Sequence, residues 1–240
     1  MNVIGSPTNW ADLLEQMLPQ LLRLTIDTWR ALPGRLGSDR EDDITNALCS
    51  ALRANRTVRQ LPFYVDTQMV ELDPAAGQDL GRLDIAFRPT GLSGPPNESL
   101  YFCLECKRLN VPMNGRIRTY ASEYVRHGMI RFVSGQYSRA VRHGGMLGYV
   151  LDSKVQAAIN SIATIVQRQC TLLGMDPPGK LQLSSKVPLS WIVADRVDAR
   201  ETHHRRKHDS AFFLIHHLFV PSWARRAKRS TTPRRPRASE

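Results

Sequence analysis

The sequence predicts an α/β protein: a mixed central sheet flanked by helices, with a helical segment packed on it from the N-terminal side. Two short apolar runs, Gly81–Phe87 and Leu100–Lys107, are rich in aromatic and β-branched residues and read as strands. They are followed by a helical pattern and then by the apolar run Met146–Leu151, the strand–helix–strand order of a parallel crossover. Two amphipathic helical stripes precede the strands.

In chain order, Thr8 or Asn9 is expected to cap a first helix, with Trp10, Leu13, Leu14, Met17, Leu18, Leu21, Leu22 and Leu24 at helical spacing. Pro19 removes a backbone donor there, so a kink or a split is expected, and Leu32-Pro33-Gly34 closes the segment. Ser38-Asp39-Arg40-Glu41 fits a capping box opening a second helix, whose buried stripe is Ile44, Ala47, Leu48, Ala51 and Leu52. Gln60 to Leu72 reads as extended chain, turning at Asp73-Pro74. The Gly/Pro-rich stretch from Pro89 to Asn97 makes the two principal strands an antiparallel pair joined by a long loop. A helix is expected from Thr119 to Val141, interrupted near Gly128, with Gln136 and Tyr137 on its later half. Gly144-Gly145 reads as a turn before the Met146–Leu151 strand. Asp152 or Ser153 then caps a helix buried through Val155, Ile159, Ile162, Ile165 and Val166. Short strands are expected at Leu181–Leu183 and Leu189–Val193, a polar, basic loop over 195–209, and a last strand from Phe212 to Val220. The division is thus 1–37, helical segment; 38–220, main domain; 221–240, a basic tail of disordered composition.

Composition bounds the function. At 240 residues and 42% hydrophobic, the chain can bury a sizeable core. A net charge of +11 points to an anionic partner, although +6 of it falls in Pro221–Glu240. The four cysteines include a C-x-x-C, Cys103 and Cys106, but residues three apart on a strand face opposite sides, which argues against zinc or redox chemistry. With no signal peptide and no apolar run of membrane-spanning length, the expected location is the cytoplasm, away from the membrane.

The chemistry-bearing residues lie in the two strands. Period 2 puts Glu105 and Lys107 on one face and Leu104 and Cys106 on the other. Asp84 interrupts the preceding strand, and the hairpin brings it beside Glu105. Glu41 lies on the inward face of the second helix, one turn before Ile44; its plainer role is a capping acid favoured by the helix dipole. Charges are seldom buried unless paired or bound to a metal. Two acids against one lysine leave a negative charge over, which favours a divalent cation above a closed ion network.

An acid on an early helix, an Asp on one strand and Glu-x-Lys on the next resemble the PD-(D/E)XK nuclease superfamily, over roughly residues 38 to 151. Leu83 stands where that family often has proline. The resemblance implies a restriction-endonuclease-like three-layer core and a metal-dependent nuclease acting on DNA. It also implies Mg²⁺, with Mn²⁺ able to substitute, held by Asp84, Glu105 and the backbone carbonyl of Cys106, with Glu41 joining through water or taking a second ion. Lys107 would orient the attacking water or stabilise developing charge. Gln136 and Tyr137 match a position where the family carries a polar residue lining the site; an ordinary solvated Gln and a core Tyr are the alternative. Catalytic roles are therefore expected for Glu41, Asp84, Glu105, Lys107 and Gln136. His203, His204 and Arg205 could contact phosphates or simply form a solvated loop. His216 and His217 alternate faces, so at most one can reach any site. Other readings are an inactive nuclease-fold module that binds nucleic acid or a partner protein, or an RNA-directed nuclease. A homodimer would suit cleavage of both strands, and a protein partner could supply targeting.

Overall fold

The structure is a computed structural model describing residues 7–32, 40–73, 76–90, 100–207 and 211–222. Expectations for Ser38, Pro33-Gly34, Pro74, the greater part of the Pro89–Asn97 loop and the tail beyond Ser222 lie outside the described residues.

Helices α1 (Pro7–Ala31) and α2 (Glu41–Val58) lead into strands β1 (Phe63–Leu72), β2 (Asp79–Pro89) and β3 (Phe102–Leu109). A small ribbon follows, β4 (Val111–Met113) and β5 (Arg116–Arg118). Next comes a helix in three pieces: α3 (Ala121–Glu123), a π-turn (Tyr124–Met129) and α4 (Ile130–Val133). The chain continues through β6 (His143–Val150), α5 (Val155–Arg168), β7 (Gln182–Leu183), α6 (Leu189–Asp195), β8 (Asp198–Arg205) and β9 (Phe212–Pro221). Seven strands form one mixed sheet in the order β1-β2-β3-β6-β9-β8-β7. The β3–β6 and β6–β9 pairs are parallel, and the outer pairs are antiparallel. This is the expected mixed α/β architecture with helices on both faces.

Two apolar clusters hold the layers together. One joins Leu18, Leu21 and Trp29 of α1 and Leu48 and Leu52 of α2 to Ile85, Leu104, Cys106 and Leu147. The other packs Tyr124, Met129 and Phe132, with Ile159 and Ile162 of α5, against Cys103, Met146 and Phe219. Cys103 and Cys106 thus fall into different clusters, as strand alternation requires.

Several elements differ from expectation. Helix α1 begins at Pro7, where the missing N–H costs nothing, so Thr8 and Asn9 lie inside it. Pro19 does not split it, because Leu14 and Leu18 before the proline and Leu21 and Leu22 after it are buried in the same core; Leu13 is exposed. Helix α2 starts at Glu41 with Arg40 as its N-cap. The helix after β3 stops at Val133, since Gly135 takes a positive φ of 76° and its N–H bonds back to the Phe132 carbonyl. Gln136 and Tyr137 therefore sit beyond the helix. Gly144-Gly145 is strand, not turn: a Cβ on Gly144 would lie 2.5 Å from the Phe132 ring, and one on Gly145 would lie 2.4 Å from Leu104. Residues 189–195 are helix rather than strand, opening on Pro188, whose carbonyl accepts from Trp191 N–H. The polar stretch from 198 is strand β8, with Glu201, Thr202 and His204 buried.

Glu201 accepts from the Ser185 N–H and hydroxyl, and what makes Thr202 and His204 tolerable inside is a chain of hydrogen bonds. His204 Nδ1 lies 2.7 Å from the Leu173 carbonyl, which can only accept, so this nitrogen carries the proton. His204 Nε2 then accepts from the Thr202 hydroxyl (2.6 Å), Thr202 accepts from His217 Nε2–H (2.8 Å), and His217 Nδ1 accepts from Tyr124 O–H (2.9 Å). One direction of donation satisfies every member, provided both rings are neutral. The chain ties the π-turn to β8 and β9. On the other face, His143 stacks on His216 and meets it at 3.1 Å.

Burial lowers the pKa of His204 to about 4 and of His216 to about 3, and pushes that of His217 well down. The unfolded chain takes up protons near pH 6.5 while these rings stay neutral when folded, so their stabilisation is complete above 6.5 and drains away as pH falls towards 3 to 4. Urea unfolding is expected to show the free energy falling between pH 7.5 and pH 5 by up to about 2 kcal/mol per buried histidine. Because the raised pKa of Asp84 works in the opposite direction over the same range, the profile is read in an Asp84→Asn background, where a flat profile would contradict the neutral chain.

Candidate active site

The site arises where two strands part. β2 and β3 pair only through Ile85↔Leu104, Ala86↔Cys103 and Phe87↔Phe102. β3 continues to Leu109, still parallel to β6, but its other edge pairs with no strand among the described residues. Backbone groups left this way need other partners, and side chains provide them. Cys106 N–H donates to Asp84 Oδ2 (2.7 Å), Arg108 N–H donates to Glu41 Oε2 (2.8 Å), and Lys107 Nζ donates to the Cys106 carbonyl (2.8 Å). Asp84 thus caps the edge its own strand abandons. Glu41, at the first position of α2, reaches β3 and does not serve as a capping-box acid.

Lys107 Nζ is the hub. It lies 2.9 Å from Glu105 Oε1, 3.2 Å from Glu41 Oε1 and 4.0 Å from Asp84 Oδ2. Glu105 is only 1% exposed, and its Oε1 also meets Arg131 NH1 at 3.0 Å. Its Oε2 is buried with no hydrogen-bond partner among the described residues. Arg131 NH1 donates in turn to Tyr137 OH (2.7 Å), which donates to the Arg82 carbonyl (2.8 Å). On the outer side, Gln68 Nε2 donates to Asp84 Oδ1 at 3.3 Å. The π-turn brings the helix in close: a Cβ on Gly128 would stand 3.7 Å from Glu105 Cγ.

Burial, then repulsion from Glu105, raises the Asp84 pKa to about 7 despite the nearby Lys107 and the Cys106 N–H. Burial disfavours the Lys107 ammonium, yet Glu105, Asp84 and Glu41 outweigh it and raise its pKa, so it stays charged. Arg131 is raised likewise, burial again opposing and Glu105 prevailing.

The structure therefore brings together Glu41, Asp84, Glu105, Lys107 and the Cys106 carbonyl. It does not bring in Gln136, whose side-chain amide donates to the Leu80 carbonyl. His203, His204 and Arg205 are engaged elsewhere: His203 with Glu201, His204 in the buried chain, Arg205 with Asp176. Arg131, which the sequence reading passed over, joins the cluster, as does Tyr137.

Among the described residues no three Asp, Glu, His or Cys side chains form a ready metal cage. Asp84, Glu105 and the Cys106 carbonyl are nonetheless the hard oxygen donors that Mg²⁺ takes, usually with several waters. The unpartnered Glu105 Oε2 is the kind of buried atom such an ion would satisfy. The residues fit the group.

Compared with known protein families, with curated proteins and with solved structures, the chain matches none. Among the described residues no helix is long and apolar enough to cross a membrane.

The raised pKa of Asp84 has a sign that can be checked without metal. Its unfolded value is near 3.8, so it costs the fold nothing below that pH, progressively more up to about 7 as the unfolded carboxyl ionises and the folded one does not, and a constant amount above. In EDTA, Asp84→Asn is expected to stabilise the protein by about 2–4 kcal/mol at pH 8 and to lose that advantage at pH 4. Thermal or urea unfolding at the two pH values reads the difference. An Asn variant less stable at pH 8 would contradict it.

Proposed function

We propose that this chain is a metal-dependent nuclease of the PD-(D/E)XK superfamily, with a restriction-endonuclease-like core, hydrolysing phosphodiester bonds of DNA. The observation that carries the reading is Glu105: a carboxylate withdrawn from water, with one oxygen unpartnered, in a group of three acids sharing one lysine. A purely structural network of this kind contributes little to stability compared with apolar packing.

Asp84, Glu105 and the Cys106 carbonyl would hold Mg²⁺ or Mn²⁺, with Glu41 joining through water. When bound, the ion supplies Lewis-acid stabilisation and a more acidic water. Lys107 holds a permanent positive charge where the attacking water and the scissile phosphate meet, and it positions the one or neutralises the other. Glu41 fixes Lys107 from the far side while capping Arg108 N–H. Arg131 balances Glu105 and, being about one-third exposed, can also face a phosphate. Tyr137 holds Arg131 in place through its hydroxyl.

Purified protein incubated with plasmid and oligonucleotide DNA is expected to cleave with Mg²⁺ or Mn²⁺ and not with EDTA. Asp84→Ala, Glu105→Ala and Lys107→Ala should each lower the rate by about 100-fold or more. Arg131→Ala should lower it by less, and Gln136→Ala should leave it near wild type. Cleavage surviving the Asp84 and Lys107 substitutions would refute the assignment. Nucleic-acid binding with no cleavage under any metal would favour an inactive binding module.

A further inference from the structure

Three residues beyond Lys107 the chain leaves the sheet and returns as the β4–β5 ribbon, which none of the chemistry above uses. Residues 112 to 119 are exposed without a break. Met113 and Ile117 among them are each 47% exposed, one on each face of the ribbon near its tip. From Arg108 to Ser122 the chain carries three arginines and no acid, and Glu123, the next residue, pairs with Arg118 at 3.2 Å, which leaves Arg116 as the ribbon's outward charge. The register pairs Val111↔Arg118 and Met113↔Arg116, so both ribbon arginines share one face with Met113.

The ribbon is stiffly rooted. Its tip, Asn114-Gly115, has two positive φ angles (49° and 75°), the geometry of a tight hairpin turn. Both feet are also left-handed, Asn110 at 51° and Tyr120 at 52°. Asn110 is buried and donates to Asp152. Tyr120, a residue that seldom adopts such a φ, receives the Arg118 guanidinium 4.3 Å from its ring centre and Arg108 at 5.7 Å. Strain of this kind persists only where surrounding contacts fix it, and here it aims a projection.

We propose that the β4–β5 ribbon docks this chain on double-stranded DNA by entering the major groove, which sets a backbone phosphate against Lys107. The proposal rests on the nuclease reading and adds its substrate class. Two strands about 5 Å apart, with side chains, match a groove about 12 Å wide. Three residues per strand rise about 10 Å, enough to reach a floor about 8.5 Å deep. Arg116 meets phosphates or guanine edges and Met113 beside it meets a thymine methyl, while Ile117, on the opposite face near the tip, lies against the sugars of the other groove wall. The major groove of A-form RNA is deep and too narrow for side chains to read, so the same ribbon selects against duplex RNA.

The test is fluorescence anisotropy at low salt in EDTA, with a DNA duplex, an RNA duplex of the same sequence and a single DNA strand. Wild type is compared with Arg116→Glu and with the double variant Met113→Ser, Ile117→Ser; circular dichroism confirms that each stays folded. Wild type should prefer the DNA duplex by about tenfold or more. Each variant should weaken DNA-duplex binding by about tenfold. Arg116→Glu should also flatten its salt dependence, while RNA and single-strand binding change little. Variants that bind the DNA duplex like wild type, equal losses on all three probes, a preference for the RNA duplex, or no duplex binding by wild type would each overturn the proposal. Because EDTA removes divalent ions, the readout is separate from cleavage. A wild type that binds as expected but never cleaves defeats the nuclease reading and leaves the ribbon supported. One that cleaves while Arg116→Glu binds unchanged defeats the ribbon alone.

Discussion

The parting of β2 from β3 after the Ile85↔Leu104 pair is the constraint on which the rest of the site depends. A strand edge inside a protein cannot be left bare, because each unmet N–H or carbonyl costs about as much as a lost hydrogen bond. Here the debt of β3 falls on residues 106 and 108, and it is met by carboxylates from two different elements, Asp84 and Glu41. Acids are thereby fixed by backbone geometry, not by one another. Their mutual repulsion is offset by Lys107, which the same strand delivers between them. Catalytic-looking chemistry and structural necessity thus share the same hydrogen bonds.

This shared origin explains which residues could be read in advance. Asp84, Glu105 and Lys107 follow from two strands, a period of two and an antiparallel return, all of which are local properties. Glu41 follows from the inward stripe of α2, although its partner, the Arg108 N–H, does not. Arg131 was hidden by the π-turn, whose one extra residue per turn rotates everything after it by roughly 100° relative to a regular helix. Gln136 was misplaced for a related reason. The helical pattern was carried through Gly135, where the backbone had already turned left-handed.

The far side of the sheet was less legible. Nothing in Asp198–Arg205 marks a buried strand, because Glu201, Thr202 and His204 become acceptable inside only through Ser185, His217 and the Leu173 carbonyl. Burial of that kind is a property of the assembled fold. The glycine pair of β6 is similar: it looks like a turn until Phe132 and Leu104 are seen lying across it. The ribbon, by contrast, carried a signal that went unused, Asn114-Gly115 being among the strongest hairpin dipeptides.

Lys107 has one more consequence. Its ammonium already stands among oxygens of Glu41, Glu105 and Cys106, with Asp84 beside them. The acids thus come together around a cation that is part of the chain, and the fold need not borrow one from solution to close. On the function proposed above, an incoming ion would not nucleate this pocket; it would compete with a tethered occupant. Once displaced, that occupant's charge would stay within one side chain's length, free to turn towards whatever anion had arrived.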